Sequence, residues 1–320
     1  MPLRAALFRK IHTKGETTMS LLVLQGAVEQ GFIYALVALG LYISFRTLDI
    51  ADLTTDGTFT LGAAVSAVFT VQGQPLLGVV LAFFCGALAG FVTALLQTKL
   101  GVQPILAGII TMTALYSVNL MVMGKPNINF FKEKTIFTAA EAMPGGFGSL
   151  LQAAAITAVL CVLLVLFLRT QLGLSLRATG DNRDMVRSSS INPNFTITIG
   201  LCVANALTGL SGAVVGQAQK TADINSGTGI VVIGLACLII GETIVGRGAM
   251  FRGAIAVVAG SILYRLVYAL VLYTKVVPVD CLKLVTALVV ALAIAAPSIR
   301  QWWAFQTRKR RALAGRKGEK

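Results

Sequence analysis

Residues 169–193, RTQLGLSLRATGDNRDMVRSSSINP, place four arginines with Asp181 and Asp184 between two long apolar runs. Charge at that density belongs in water, so the segment reads as a solvated connection between membrane spans. Gly180 permits a turn, and Asp181 is placed to cap a short helix from Asn182. Such a helix would display charge together with Met185 and Val186, as a docking element for a soluble partner does. A plain loop whose arginines only fix topology has the same composition. Inside the apolar runs, an ionisable side chain costs about 2.5–3.5 kcal/mol on insertion scales, so it faces a cavity or a partner. Glu29 lies beside Gln25 and Gln30, Glu242 stands next to Thr243, and Arg265 follows in the next run. One reading is a polar pathway for a zwitterionic solute. The other is internal pairing, for instance Glu242 with Arg265. Asn119 and Asn205 read as hydrogen-bonding links between helices.

Catalytic chemistry has little to work with. The single histidine, His12, lies in a terminal tail. Cys85, Cys161, Cys202, Cys237 and Cys281 show no CxxC spacing and sit in or at the edge of apolar runs, as packing residues do. No Ser-His-Asp arrangement or metal site is expected. Asp49, Asp52 and Asp56 cluster near one end of a span; cation binding, helix capping and solvation at the lipid face all account for them. No enzyme activity is expected of the chain itself.

The positioning elements follow from composition. The chain has 320 residues, 56% hydrophobic and 12% charged, with a mean hydropathy of +0.81. A soluble domain carries about a quarter charged residues, and a disordered one more still. Both classes are excluded. The net charge of +14 sits largely in the tails: Arg4, Arg9, Lys10 and Lys14 against Glu16 before Ser20, and eight Lys/Arg against Glu319 from Arg300 on. A basic tail behind a last span reads as an anchor beside anionic lipid, so no nucleic acid is expected. Trp302 and Trp303 suit the membrane interface.

The expected fold class is all-α, a polytopic membrane protein of about nine transmembrane helices: 20–45, 56–72, 76–97, 103–123, 149–168, 195–216, 230–246, 249–273 and 281–299. The second and seventh are short and rich in Gly, Ser and Thr, as broken helices lining a cavity are. The basic C-terminal tail and the loop with Arg169, Arg177, Arg183 and Arg187 should be cytoplasmic, with Arg46, Lys99, Arg247 and Arg252 on the same side. Loops 124–148, 217–229 and 274–280 then lie outside. Nine spans put the basic N-terminus outside, against the same rule; a start at Met19 or a short translocated extension resolves the conflict. Residues 1–18 lack a signal-peptide core.

Two segments correspond. Asp49-Ile50 precedes Thr54-Thr55-Asp56-Gly57-Thr58, and Asp223-Ile224 precedes Ser226-Gly227-Thr228-Gly229. Reached from opposite sides, they fit an inverted repeat. Thr54, Thr55 and Asp56 thus join Glu29, Glu242 and Thr243 as candidate pathway residues. Gly86-x-x-x-Gly90 and Gly212-x-x-x-Gly216 permit close packing within one subunit.

The run Leu172-Gly173-x-Ser175-Leu176-Arg177-Ala178-x-Gly180-x-Asn182, then Ser190-Ile191-Asn192-Pro193, resembles the cytoplasmic signature of ABC importer permeases of the branched-chain amino acid and ribose type. Gly31 to Gly40, Asp49 to Gly57, Asn205 to Gly212 and Gly234 to Gly241 resemble their core spans. The runs Leu53-Thr54-Thr55-Asp56-Gly57 and Gln103 to Ile109 are similar to a single-gene branch associated with aromatic amino acids or related solutes. The resemblance covers about residues 20–300. It implies a permease domain over 19–299, with residues 1–18 and 300–320 as basic tails. It also implies a cytosolic ABC ATPase, an extracytoplasmic solute-binding protein and a second permease copy as partners, in a bacterial cytoplasmic (inner) membrane. Within 169–193, Arg177, Ala178, Gly180, Asp181, Asn182 and Met185 would then form the coupling segment. No G-x-x-x-x-G-K-[ST] loop is present, so no cofactor is expected here and ATP would be bound by the partner. A stand-alone transporter driven by Na⁺ or H⁺ is the alternative.

Overall fold

The computed structural model describes residues 2–141, 147–246 and 250–273, with side chains from Leu22 on, and isolated positions 287, 288, 291 and 295. Apart from those four positions, the ninth expected span, 281–299, lies outside the described residues, as do the basic C-terminal tail and Trp302 and Trp303.

The other eight expected spans are helices. α1 (Pro2–Leu41) continues through a π-helical turn, Tyr42–Thr47. α2 (Thr54–Val71), α3 (Pro75–Thr98) and α4 (Pro104–Met123) follow. After β1 (Asn127–Asn129) and α5 (Thr138–Glu141), α6 (Phe147–Arg169) crosses back. α7 (Gln171–Asp181) and α8 (Arg183–Ser188) form the charged connection. Then come α9 (Pro193–Gln219), β2 (Thr221–Asp223), α10 (Ile230–Val245) and α11 (Met250–Tyr273). Among the described residues six helices, those over Leu22–Thr47, Pro75–Thr98, Pro104–Met123, Phe147–Arg169, Pro193–Gln219 and Met250–Tyr273, are long and apolar enough to cross a membrane. Proline opens α3, α4 and α9, where its missing N–H and fixed φ cost nothing.

α9 is the axis, flanked by α2 and α3 on one side and α1 on the other, while α10 and α11 pack together against α1. Glycine brings these helices close. A methyl group at Gly86 or Gly90 would strike the carbonyls of Asn205 or Leu201, and one at Gly212 would strike that of Phe59. Both small-residue pairs therefore serve contacts within the chain. α2 is enclosed by α9, α3 and α4, and Gly57, Thr58, Gly62, Ala63 and Ser66 are all buried. Its small, partly polar composition is that of a helix facing other helices.

One element departs from the all-α expectation. β1 and β2 pair antiparallel, Ile128 opposite Ala222, and Lys220 in the left-handed region (φ 54°) turns the chain out of α9 into β2. Three-residue strands are too short to show an alternating pattern in sequence. This ribbon defines one face of the bundle, the ribbon face; α7 and α8 define the other. Arg46, Arg177, Asp181, Glu242 and Gly246 gather on the α7 face, and Asn194 at the start of α9 reaches the Thr98 carbonyl there. Among the described residues, the loop arginines of α7 and α8, Arg46, Lys99 and Arg252 thus share a side, while Arg247 lies outside the described residues.

Candidate functional site

The first turns of α2 and α10 meet inside the bundle. The Asp52 carboxylate, just ahead of α2, accepts from the Thr54 backbone N–H at 2.9 Å and from Asn205 Nδ2 at 2.6 Å. Asn205 Oδ1 accepts from the Thr58 hydroxyl at 2.9 Å. Asn205 stands near the middle of the 27-residue α9, so α2 begins deep within the bundle and runs toward the ribbon face. With 18 residues it is about 27 Å long, short of a full crossing.

α10 starts at the same depth and runs the other way. Its N-cap is Gly229, at φ 85°, which has no side chain to satisfy the exposed first-turn N–H groups. Asp56 of α2 supplies the cap from outside the helix: Oδ2 accepts from Gly229 N and Oδ1 from Val231 N, both at 2.9 Å. Beside it, the Thr60 hydroxyl accepts from Gly227 N at 3.1 Å. A Cβ at Gly227 would run into the Asp56 carbonyl. A carboxylate at a helix N-terminus is favoured by the aligned peptide dipoles as well as by these bonds. Of the readings open for the aspartates, capping is the one that the backbone bonds of Asp52 and Asp56 realise. Asp49 stands apart, exposed, with φ 55°.

A cavity of about 280 Å³ opens against this junction, lined by Asp56, Gly57, Thr60, Met112, Thr113, Tyr116, Asn119, Ile224 and Thr228. Asn119 donates to the Gly57 carbonyl at 3.1 Å. Its own Oδ1 is buried without a hydrogen-bond partner.

The other expected pathway residues are dispersed. Thr54 and Thr55 are buried; the Thr54 hydroxyl pairs with that of Thr93 at 2.8 Å, and that of Thr55 donates to the Asp52 carbonyl at 3.2 Å. Glu29 lines a smaller cavity of about 110 Å³ with Gln30 and Tyr34, nearer the ribbon end of α1. Glu242 does not pair with Arg265. Glu242 Oε1 meets Arg46 Nε at 2.7 Å, because the end of α10 and the π-helical turn of α1 share the α7 face. The Arg265 guanidinium lies over the Tyr34 ring, 3.5 Å from its centroid, and donates to Gln30 Oε1 at 3.2 Å. Thr243 bonds back to the Ile239 carbonyl at 2.7 Å.

The charged connection is two helices. Thr170 caps α7 and Asn182 caps α8, whose Oδ1 accepts from Asp184 N and Met185 N, both at 3.0 Å. Asn182 thus takes the capping role expected of Asp181. Gly180 makes no turn: it lies inside α7, where any side chain would strike the Thr47 carbonyl. α7 buries Gly173, Leu176 and Thr179. Leu176 joins Leu48, Ile50, Ile197 and Leu201 in one apolar cluster, and the Thr179 and Thr196 hydroxyls pair at 2.9 Å. Arg177, Asp181, Asn182 and Met185 remain exposed, Met185 at 60%, with Ala178 half-buried between them. Val186, expected at the surface, is 1% exposed, because α8 turns it inward.

Gln217 was not foreseen. Fully buried near the end of α9, it accepts from Ile136 N at 2.9 Å and donates to Ser66 Oγ at 2.9 Å and to the Pro75 carbonyl at 2.8 Å. A glutamine inside an apolar run was the available signal.

Residues 23–295 match the family model described as the branched-chain amino acid transport system permease component. The chain belongs to that permease family. It is 35% identical over 267 residues, 83% of this chain and 88% of the relative, to the tyrosine transport system permease protein of Clostridioides difficile. It is 30% identical over 276 residues to an uncharacterized protein of Rickettsia prowazekii, covering 85% of this chain and 96% of that one. It is 25% identical over 229 residues to the ribose import permease of Escherichia coli K12, covering 69% of each. No solved structure matches. The chain is therefore a multi-pass permease component of the branched-chain amino acid and ribose type of ABC transport system.

Proposed function

We propose that this permease is the membrane subunit of an ATP-driven importer for a small polar solute, an amino acid, with tyrosine the first to test. The relative named for tyrosine transport supports the substrate class. In this reading the α7 face is cytoplasmic, in a bacterial inner membrane, and the basic tail lies on that side. A separate ABC ATPase docks on Arg177, Ala178, Gly180, Asp181, Asn182 and Met185. A binding protein delivers solute to the ribbon face, and a second permease copy completes the pathway.

The observation that carries the proposal is the seat of α7. Leu176 and Gly180 press on Leu48 and Thr47, the chain that leads within a few residues to Asp52 and the start of α2. A push on α7 therefore meets, through packed side chains and backbone, the junction where α2 and α10 begin. Their opposed directions also support the inverted repeat.

The test is purification of the tagged permease from native membranes with whatever follows it, then uptake in reconstituted vesicles. A stoichiometric ATPase and ATP-dependent uptake are expected. Arg177→Glu should reduce ATPase recovery about tenfold while leaving the permease in the membrane, since it reverses an exposed charge that makes no ion pair among the described residues. A permease that transports alone on an ion gradient, or an Arg177→Glu complex that assembles and transports normally, would sink the reading.

A further inference from the structure

The cavity beside Asp56 has a one-sided chemistry. It is lined by Asp56, Asn119, Thr60, Thr113, Tyr116 and Thr228, with Met112 and Ile224 as apolar wall. No lysine or arginine is among these residues. The acceptors are not equally free. Asp56 already holds two backbone N–H groups, and the hydroxyls of Thr60 and Thr113 donate to their own helices at 3.3 and 2.8 Å. Asn119 is different. Its Nδ2 is committed to Gly57, while Oδ1 is buried without a partner in a side chain that is 99% buried. A buried amide oxygen left unpaired carries a desolvation cost that a donor would relieve. The cavity lies at the low end of the range for ligand sites, the size for a small solute.

We propose that this cavity is a solute contact point on the transport pathway, and that Asn119 Oδ1 accepts from the amino group of the passing solute. The assignment rests on the importer reading above and adds the end of the solute that is recognised. An amino group brings up to three N–H donors and a positive charge into a site that presents oxygens. A solute with a carboxylate alone finds no counter-charge there. Tyr116, half-exposed on α4, adds its ring and hydroxyl to the lining.

The experiment uses the reconstituted complex with its ATPase and binding protein. Uptake of L-tyrosine is measured first, then of the other protein amino acids, and the best-transported one is compared with its deaminated analogue. Asn119→Leu and Asn119→Asp both lose the bond to Gly57, but only Asn119→Leu loses the acceptor. Asn119→Leu should raise KM for the amino acid roughly tenfold, the loss of one hydrogen bond to a charged group, with kcat and the analogue's uptake little changed. Asn119→Asp should restore KM to within about twofold of wild type. Tyr116→Phe, at a half-exposed position that the fold tolerates, should raise KM about two- to threefold and serves if the Asn119 variants fail to fold. Equal effects of Asn119→Leu and Asn119→Asp would assign Asn119 to structure and overturn the inference while leaving the importer reading intact. Amino-acid KM unchanged in Asn119→Leu, or in Tyr116→Phe where that variant stands in, would overturn it likewise. No amino-acid uptake by the wild-type complex would overturn both.

Discussion

α10 is held by a charged side chain at each end, and the two attachments differ in kind. At its start, Asp56 accepts two backbone N–H groups in the interior, 2.9 Å each. At its end, Glu242 meets Arg46 across 2.7 Å, with the arginine side chain 44% exposed. The first attachment joins a half-buried carboxylate to helix-end N–H groups that no bond within α10 can serve. The second joins an arginine that water can serve to a glutamate whose side chain is only 12% exposed. One end of α10 is therefore fixed to α2 by backbone hydrogen bonds, and the other is held to α1 by a single ion pair with one exposed partner. The weak end lies beside Arg177 and Asp181 of α7, where the proposed ATPase docks. A helix anchored at the centre and lightly held at the docking face suits a part that swings about its buried end.

The largest effect should come from breaking the buried end. Asp56→Ala leaves the N–H groups of Gly229 and Val231 unpaired inside the protein, at a cost of about 3 kcal/mol for the two. It should give the lowest Tm of the series in detergent, and Asp56→Asn, which keeps one acceptor oxygen, should fall between it and wild type. Equal Tm for Asp56→Ala and wild type would show that water reaches these groups and that the start of α10 is not anchored.

A smaller effect should follow at the other end from Gly180→Ala. The added methyl must move either α7 or the Thr47 carbonyl, and overpacking of this kind costs about 1–3 kcal/mol. The consequence for function should exceed that for stability, because Thr47 adjoins Arg46. ATP hydrolysis per solute transported should rise several-fold while the complex still assembles. An unchanged ratio would detach α7 from the α1 turn and leave the weak end without its proposed link to docking.

The spans were readable because apolar runs of about 20 residues and the proline and glycine punctuation mark them directly. The short character of α2 and α10 also showed in their Gly and Thr content. What stayed hidden were pairings across the bundle. Asp56 caps a helix 173 residues away, and the one hint was the glycine at the α10 N-cap, which told that the cap must come from elsewhere. Gly180 was misread because glycine serves turns and close helix contacts alike, and only the position of Thr47 decides between them. The partner of Glu242 was within reach. The expected topology put Arg46 on the side where α10 ends, whereas Arg265 lies 15 residues into α11, about 22 Å along it from that face. Proximity along the chain was the wrong guide. β1 and β2 had no legible signal, since a three-residue strand exists through its partner.

The smallest expected effect tests the weak end directly. Glu242→Gln removes the charge of the ion pair but keeps an oxygen that can accept from Arg46. With Arg46 nearly half exposed and the oxygen kept, the change costs about 1 kcal/mol, so Tm should fall less than in Asp56→Ala. What remains is electrostatic and screened over roughly 10 Å at 0.1 M salt. The Tm difference between wild type and Glu242→Gln should therefore shrink as salt is raised toward 1 M. If the swing of α10 requires this contact to part, the variant should also hydrolyse ATP slightly faster without solute, because its closed arrangement is held less firmly. A Tm loss as large as that of Asp56→Ala, insensitive to salt, would make the two ends equally rigid and remove the pivot.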